Sequence, residues 1–278
     1  MKKKINLSSL LKIILYLKFL PAIILKIKNW PVFLLNYIGL KDGKFECILR
    51  NGVRIKVDDN INAATIAVVF IKKDYGDIND NSVVIDIGAN IGVYSIFAAQ
   101  QKNNIVYAFE PMIDNFKILK ENIAINNLEK KIIPCNFAVG NRKEKRTLYL
   151  GGSPFHSLYP IEDSPFNALY NQVRTEQSHI DINCISLEDI FLENKIENYD
   201  MLKIDCEGAE FEILYNLPDK YFKRIKKIRM EYHNHKTKKS FNGEKLAEFL
   251  INKGFNIEKF RKSSLYQGDL WVRFDAGK

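Results

Sequence analysis

The central motif of this chain is Val83-Val84-Ile85-Asp86-Ile87-Gly88-Ala89-Asn90-Ile91-Gly92. Its apolar, β-branched start is typical of a strand that is covered on both faces of a parallel sheet. The glycines that follow predict a turn into a helix. At such a turn, missing Cβ atoms let a ligand approach the backbone, and the helix N-terminus offers unpaired N–H groups. We therefore expect a cofactor site here.

The spacing of this turn differs from the plain dinucleotide-binding fingerprint. Asn90 stands where the middle glycine would be, and the next position of that pattern is Ser95. An apolar strand followed by two glycines also occurs at turns that bind nothing. The motif alone therefore leaves both interpretations open.

Strands and helices alternate after this turn, which predicts a parallel sheet with right-handed crossovers. A closing antiparallel pair is expected at residues 255–260 and 270–274. The other predicted core strands are residues 104–110, 131–139, 199–205 and 227–233.

The chain before this core predicts smaller elements. Alternating apolar residues around Asn51-Gly52 predict a hairpin over 45–57, and a helix is expected over 63–75. We divide the chain into a basic, apolar helical extension (1–41) and a main domain (42–278). The hairpin and helix (42–80) precede the core (81–278). Within that core, the glycines and aromatic residues after residue 150 favour a substrate-covering loop over disorder.

The charge is unevenly distributed. Eight of the nine net positive charges lie in residues 1–41, which contain no acid. A nucleic-acid binder more often carries basic charge on its folded domain, so we expect no nucleic-acid partner. The four cysteines lie far apart with no C-x-x-C pair, which predicts neither a zinc site nor disulfides and favours a cytoplasmic protein.

Residues 1–40 are apolar but interrupted by lysines. Their longest uncharged run, 29–40, has 12 residues, short of the ~18 to 20 that span a bilayer. Lys12 and Lys18 also argue against a signal peptide. We expect a helical segment, bent near Pro21 and Pro31, that either lies at the inner face of an anionic membrane or packs on the body or on a partner subunit.

Acidic residues end the predicted core strands. Asp86, Glu110 and Asp205 lie at or near such ends, and so does His233. Because the carboxyl ends of parallel strands share one edge of a sheet, we expect these groups to converge there. Glu110 follows Gly92 by 18 residues, close to the spacing at which an acid binds a ribose diol in nucleotide-binding sheets.

Five motifs together resemble the FkbM-type family of S-adenosylmethionine-dependent methyltransferases. They are Asp-Ile-Gly-Ala-Asn-Ile-Gly (86–92), Phe-Glu-Pro (109–111), Asn122-x-x-x-Asn126, Ala-Val-Gly (138–140) and Leu-Lys-Ile-Asp-Cys-Glu-Gly-Ala-Glu (202–210). The resemblance implies a class I methyltransferase fold: a mostly parallel, Rossmann-like sheet of seven strands with an antiparallel last strand. It also implies S-adenosyl-L-methionine as cofactor and O-methylation of a hydroxyl, commonly on sugars or natural products.

The resemblance also assigns residues to the cofactor. Gly88, Asn90 and Gly92 would border its methionine and ribose portions, Asp86 would support the turn, and Glu110 would hold the ribose hydroxyls. Ala138 would lie by the adenine, although no Asp follows the third strand here and only Asn136 is near. Ala89 and Pro111, in the same two turns, complete the expected set.

An attacking alcohol benefits from a nearby base. We expect Asp205 to orient or deprotonate the acceptor, with His233, Glu207 and His156 as further candidates. Glu207 can also be read as an anion at a helix N-terminus. The set Asp205, Glu207, Glu231 and His233 could hold a divalent metal, but its spacing does not demand one, so no metal is predicted.

The leading hypothesis is an O-methyltransferase acting on a sugar hydroxyl, such as a glycan on a lipid carrier. One alternative is a nicotinamide-dependent oxidoreductase, against which Asn90 and Ser95 count. The other is a non-catalytic binding module on a methyltransferase scaffold. Since one fold supports many chemistries, the acceptor must be inferred from the site.

Overall fold

A seven-stranded sheet forms the centre of the protein. The computed structural model describes residues 18–41, 43–150, 156–160, 178–194 and 196–275. The strands of the sheet are β3 (Val83–Ile87), β4 (Ile105–Phe109), β5 (Ile132–Cys135), β9 (Met201–Ile204), β10 (Lys227–His233), β11 (Phe255–Lys262) and β12 (Gln267–Phe274). Their order across the sheet is β11-β12-β10-β9-β3-β4-β5.

The strand directions give the class I methyltransferase fold. Strands β10, β9, β3, β4 and β5 are parallel, whereas β12, the last strand of the chain, runs antiparallel to both β10 and β11. The fold that the resemblance implies is thereby confirmed. The helices are α1 (Leu20–Lys26), α2 (Trp30–Tyr37), α3 (Asn60–Ile66), α4 (Val93–Ala99), α5 (Ile113–Ile125), α6 (Leu187–Asn194), α7 (Glu210–Tyr215), α8 (Asp219–Phe222) and α9 (Gly243–Asn252).

The register of the central strands determines where the site lies. Ile87, the last residue of β3, is level with Phe109 of β4 and Ile204 of β9. The residues that follow these three positions therefore emerge side by side at the carboxyl edge of the sheet. They are the glycine turn, Glu110 and Asp205.

The predicted third strand, 131–139, is wrong as one element. It divides into β5 and β6 (Ala138–Gly140), and β6 pairs with β8 (His179–Ser186) in a separate sheet that β7 (Glu144–Tyr149) completes. Asn136 accounts for the break, because its side chain donates to the carbonyls of Glu110 at 2.9 Å and Pro111 at 3.0 Å. The chain therefore leaves the main sheet at this point.

The predicted hairpin is confirmed as β1 (Phe45–Ile48) and β2 (Arg54–Val57). The next helix starts earlier than the predicted residue 63, because Asp59 caps α3 by accepting the Asn62 N–H at 2.7 Å. It continues as a π-helical segment, Ala67–Lys72, which ends before Tyr75.

Helices α1 and α2 pack on the body. Ile23, Ile27 and Phe33 are fully buried in the same hydrophobic cluster as the hairpin and α3. No helix in the described parts of the chain is long and apolar enough to cross a membrane. Residues 1–17 of the extension, and residues 151–155 and 161–177 of the expected substrate-covering loop, lie outside the described residues.

Candidate active site

A cavity opens at the carboxyl edge of the sheet, above β3, β4 and β9. Its empty volume, including the open mouth, is about 940 Å³. The residues that line it are Thr65, Val69, Tyr75, Ile87, Gly88, Ala89, Asn90, Val93, Tyr94, Phe109, Glu110, Pro111, Asn115, Phe137, Ala138, Val139, Leu148, His156, Leu158, Lys203, Asp205, Cys206, Glu207 and Ala209.

Gly88 begins the turn after β3, and its missing Cβ makes room for protein rather than for a ligand. Its φ is +74°, and a Cβ built there would lie 1.8 Å from the Asp205 carbonyl oxygen. The close approach of the two strand ends therefore requires glycine. This is a different reason from the ligand approach that the sequence suggests.

Asn90 connects this turn to two neighbouring elements. Its φ is +51°, a left-handed conformation that asparagine tolerates better than most residues. Its backbone N–H donates to Glu110 Oε2 at 2.8 Å, and its side-chain Nδ2 donates to Asn62 Oδ1 of α3 at 2.8 Å. An asparagine in place of the middle glycine is thereby explained.

Glu110 presents a fixed carboxylate to the cavity. Besides the Asn90 N–H, it accepts the Met112 N–H at 2.9 Å. Burial raises the pKa of Glu110 to about 7, and the two backbone N–H groups oppose that rise. A carboxylate held in this way can accept two hydroxyls of a ribose diol through its remaining lone pairs.

Two of the predicted cofactor residues lie behind the cavity wall. Asp86 is fully buried, accepts a hydrogen bond from Ser95 at 2.6 Å and forms a salt bridge with Lys203 at 3.1 Å. A Cβ on Gly92 would lie 2.4 Å from Leu119 Cδ1, so this glycine serves the packing of α5. Both support the turn and do not line the cavity.

The other predicted cofactor residues do line the cavity: Gly88, Ala89, Asn90, Glu110, Pro111 and Ala138. Ala138 does so from β6 rather than from the end of the third main-sheet strand. It therefore lines the cavity although its predicted strand is wrong, and its contact with the adenine stays a prediction.

The acidic end of the cavity contains Asp205 and Glu207. Tyr75 Oη donates to Asp205 Oδ2 at 2.8 Å, so this carboxylate is fixed by the segment that follows the π-helix. Glu207 has φ +54° and precedes α7, which starts at Glu210, so it is not in the first turn of that helix. Burial raises the pKa of Glu207 to about 8.

His233 does not line the cavity. It is buried, with Nδ1 2.9 Å from Glu210 Oε1 and Nε2 3.6 Å from Glu207 Oε2. Burial acts to lower the pKa of His233, but Glu207 and Glu210 outweigh this and raise it well above its usual range. Since His233 lies outside the cavity lining, its role as a base for an acceptor in the cavity stays a prediction.

His156 also lines the cavity, and burial lowers its pKa. The adjacent Ser157 donates its hydroxyl to the Glu207 carbonyl at 2.6 Å. This short segment therefore covers the acidic end.

Sequence reasoning assigned no role to Lys203 and did not single out Tyr75 or Tyr94. Lys203 is buried, and its ammonium donates to the Gly88 carbonyl at 2.8 Å. It lies 5.6 Å from the Tyr75 ring centre and 5.9 Å from that of Tyr94. The available signal was a lysine inside an otherwise apolar strand, since such a charge is seldom buried without a partner.

A comparison with family models identifies this arrangement. The model of the methyltransferase FkbM domain matches residues 86–257. The chain belongs to this family. The match begins at Asp86 and includes the glycine turn, Glu110 and Asp205.

Relatives of known name are distant and differ in length. AMB antimetabolite synthetase AmbE of Pseudomonas aeruginosa is 24% identical over 68% of this chain, which covers 10% of AmbE. The 31-O-demethyl-FK506 methyltransferase FkbM of Streptomyces tacrolimicus is 25% identical, covering 57% of this chain and 68% of that protein. The hexuronic acid methyltransferase AglP of Haloferax volcanii is 26% identical over 49% of each.

Among solved structures, the methyltransferase FkbM from Methylobacillus flagellatus aligns with a TM-score of 0.49 at 15% identity. The alignment covers 74% of this chain and 47% of that one.

Proposed function

We propose that this FkbM-family methyltransferase uses S-adenosyl-L-methionine to methylate a hydroxyl of a sugar or a related small molecule. The observation that carries the proposal is the pairing of Glu110 with the Asn90 backbone at the cavity. The hydrogen bond from Asn90 fixes the Glu110 carboxylate next to a turn that is free of bulky side chains. A nucleoside needs such a carboxylate for the hydroxyls of its ribose and such a turn for space. The family membership supports the same cofactor.

The cavity provides for each part of this cofactor. Glu110 would accept the ribose hydroxyls. Ala138 and Phe137 would contact the adenine, and the turn at 88–90 would border the methionine portion. When bound, the cofactor supplies an electrophilic methyl group on a sulfonium, whose reactivity is its own.

The protein would then position the acceptor hydroxyl and provide a group that accepts its proton. Asp205, held by Tyr75, would orient the acceptor hydroxyl at the acidic end of the cavity. A carboxylate there can accept the proton that the hydroxyl loses as it attacks in line. The segment around His156 would exclude water from this end.

Calorimetric titration with S-adenosylhomocysteine, and separately with NAD, tests the cofactor. We expect binding of the former, and at least tenfold weaker binding in Glu110→Gln, because the amide presents a donor to a backbone N–H that needs an acceptor. Glu121→Gln, at an exposed acid on α5, is the matched control and should bind as the wild type does. An NAD signal without S-adenosylhomocysteine binding would favour an oxidoreductase, and no binding of either would favour a non-catalytic module.

A sugar acceptor is supported by two considerations. AglP, by its name, methylates a hexuronic acid, and the acidic end of the cavity offers carboxylates that accept hydrogen bonds from hydroxyls. The variant Asp205→Asn tests whether Asp205 acts on the acceptor hydroxyl and not on the cofactor. We expect it to retain S-adenosylhomocysteine affinity and to lose methyl transfer to the sugar acceptor, whereas equal loss of both would contradict the proposed role of Asp205.

We also propose that the N-terminal extension contacts an anionic membrane surface, where a lipid-linked glycan would be available. The exposed positions within residues 18–41 are occupied only by lysine, proline, glycine, leucine and valine. Leu25 and Leu40 are 73% and 70% exposed. Apolar side chains among lysines favour an interface with anionic lipid.

Co-sedimentation with phosphatidylglycerol vesicles tests this contact. Leu35→Glu/Leu40→Glu should bind less than the wild type, while Leu265→Glu, at an 84% exposed leucine in the β11–β12 turn, should not. Equal binding by all three proteins would contradict the proposal. Equally strong binding to uncharged phosphatidylcholine vesicles would contradict the role of the lysines in attracting anionic lipid.

A further inference from the structure

Three side chains with metal-binding donors meet beside the cavity. Asp205 follows β9, and Glu231 and His233 are two residues apart on β10 and so share one face of that strand. Since β9 and β10 pair in parallel, with Ile204 opposite Met230, the three lie side by side at the carboxyl edge. One donor atom from each lies within 4.8 Å of the others.

These separations suit a common cation. Oxygen ligands lie roughly 2.1 to 2.5 Å from Mg²⁺, Mn²⁺ or Ca²⁺, so two ligands of one ion are at most about 4.2 to 5 Å apart. The three donors, all within 4.8 Å of one another, meet the upper end of that limit in the present backbone. The set also combines carboxylate oxygens with an imidazole, as first-row divalent metals accept.

Each of the three side chains is also held from behind, as ligands usually are. His233 Nδ1 is 2.9 Å from Glu210 Oε1, which leaves Nε2 directed away from that carboxylate. Asp205 accepts from Tyr75 Oη at 2.8 Å, and Glu231 accepts from Gln267 Nε2 at 2.9 Å. These partners, Glu210, Tyr75 and Gln267, are not among the three proposed ligands and would orient the ligand side chains.

Two more carboxyl groups lie close to the three donors. Glu207 Oε2 lies 3.6 Å from His233 Nε2. Glu210 is fully buried, and its Oε2 has no hydrogen-bond partner among the described residues. Lys203, also buried, already pairs with Asp86 at 3.1 Å. A buried carboxylate is costly unless it is paired. A divalent cation held by Asp205, Glu231 and the neutral imidazole of His233 would pair with these carboxylates and would replace the proton of His233.

We propose that Asp205, Glu231 and His233 form a binding site for one divalent cation, with Glu207 beside it. Because Asp205 also lines the cavity, the cation would lie next to the acceptor end and could coordinate a hydroxyl oxygen there. Only this role in orienting the acceptor rests on the proposed function. The binding of the cation does not.

Titration of the chelator-treated full chain with MnCl₂, followed by the electron paramagnetic resonance signal of free Mn²⁺, tests the site. We expect about one bound ion per chain, displaced by MgCl₂. Glu231→Gln and His233→Gln should each weaken binding at least tenfold. Glu258→Gln, which removes a carboxylate from β11 that pairs with Arg229 and Arg273, is the matched control and should bind as the wild type does.

S-adenosylhomocysteine titration of the same proteins separates the two proposals and reports on folding. Glu231→Gln should keep its affinity for S-adenosylhomocysteine while losing Mn²⁺. Absence of Mn²⁺ binding in a wild type that binds S-adenosylhomocysteine would overturn the metal site alone. Equal Mn²⁺ binding by wild type, Glu231→Gln and His233→Gln would also overturn it. Mn²⁺ binding without S-adenosylhomocysteine binding would leave the metal site in place and contradict the proposed cofactor.

Discussion

Replacing Gly88 by alanine tests how the two strand ends build the site. The new Cβ would meet the Asp205 carbonyl oxygen at 1.8 Å, whereas ordinary contacts begin near 3.4 Å, so this backbone must move by about 1.6 Å. Gly52→Ala is the matched control. Gly52 also has a positive φ, +94°, but no atom lies within 4 Å of the position of its Cβ.

The two substitutions differ mainly in the steric clash. A left-handed backbone costs an L-residue about 1 to 2 kcal/mol, and this applies to both positions. Overpacking adds about 1 to 3 kcal/mol at Gly88 alone. We therefore expect Gly88→Ala to lower the free energy of unfolding by about 2 to 5 kcal/mol, and Gly52→Ala by about 1 to 2 kcal/mol.

Urea unfolding followed by circular dichroism measures both changes, and S-adenosylhomocysteine titration measures the effect on the site. Because the displaced carbonyl belongs to Asp205, Gly88→Ala should also weaken binding, and Gly52→Ala should not. Equal losses of unfolding free energy in the two variants would refute the argument that Asp205 is the reason for this glycine.

Two further predictions concern buried charges. The folded pKa of Glu110, about 7, lies above the ordinary value of 4.5, so the folded state binds the extra proton between these pH values and the contribution of Glu110 to stability falls as pH rises toward 7. Urea unfolding from pH 5 to 8 should show this fall in the unfolding free energy of the wild type. In Glu110→Gln the slope of unfolding free energy against pH should be smaller by up to about 1.4 kcal/mol per pH unit. Identical slopes in the two proteins would contradict the prediction. Lys203→Met should lower the free energy of unfolding by about 3 to 5 kcal/mol, because it leaves Asp86 buried without its cation. Adding Asp86→Asn to this variant should recover part of that loss in the same urea assay. Strictly additive losses from the two substitutions would contradict the pairing.

The parts of the site that depend on strand ends could be predicted from the sequence. The apolar composition of the three segments identifies β3, β4 and β9 as buried strands. Their parallel pairing then brings Gly88, Glu110 and Asp205 to one edge of the sheet. These inferences need only local patterns and the general rule for parallel sheets. The positions therefore agree, although the reason for Gly88 differs.

The remaining contacts depend on side chains that meet across long stretches of chain. Tyr75 and Asp205 are 130 residues apart, and Asn62 and Asn90 are 28 apart. No periodicity indicates which tyrosine or asparagine reaches which strand end. The same limit explains Gly92, which follows the pattern of a ligand turn but is required by the packing of Leu119.

The break between β5 and β6 was missed for a related reason. Residues 131–139 are compatible with one strand in composition, and the side chain of Asn136 ends that strand by capping the carbonyls of Glu110 and Pro111. A competing hydrogen bond from a single amide is not visible as a pattern.

The position of β9 beside β3 has a consequence for the order in which the molecule forms. Val83 donates its N–H to Asp200 Oδ2, 117 residues further along the chain. A ribosome completes β3 and β4 long before β9 exists, so one edge of the central strand is unpaired during that time. Contacts of such large sequence separation form slowly. The wall of the cavity that contains Asp205 and Glu207 is consequently built late, and a nascent chain that ends before β9 has half of the site and an open apolar edge for chaperones to cover.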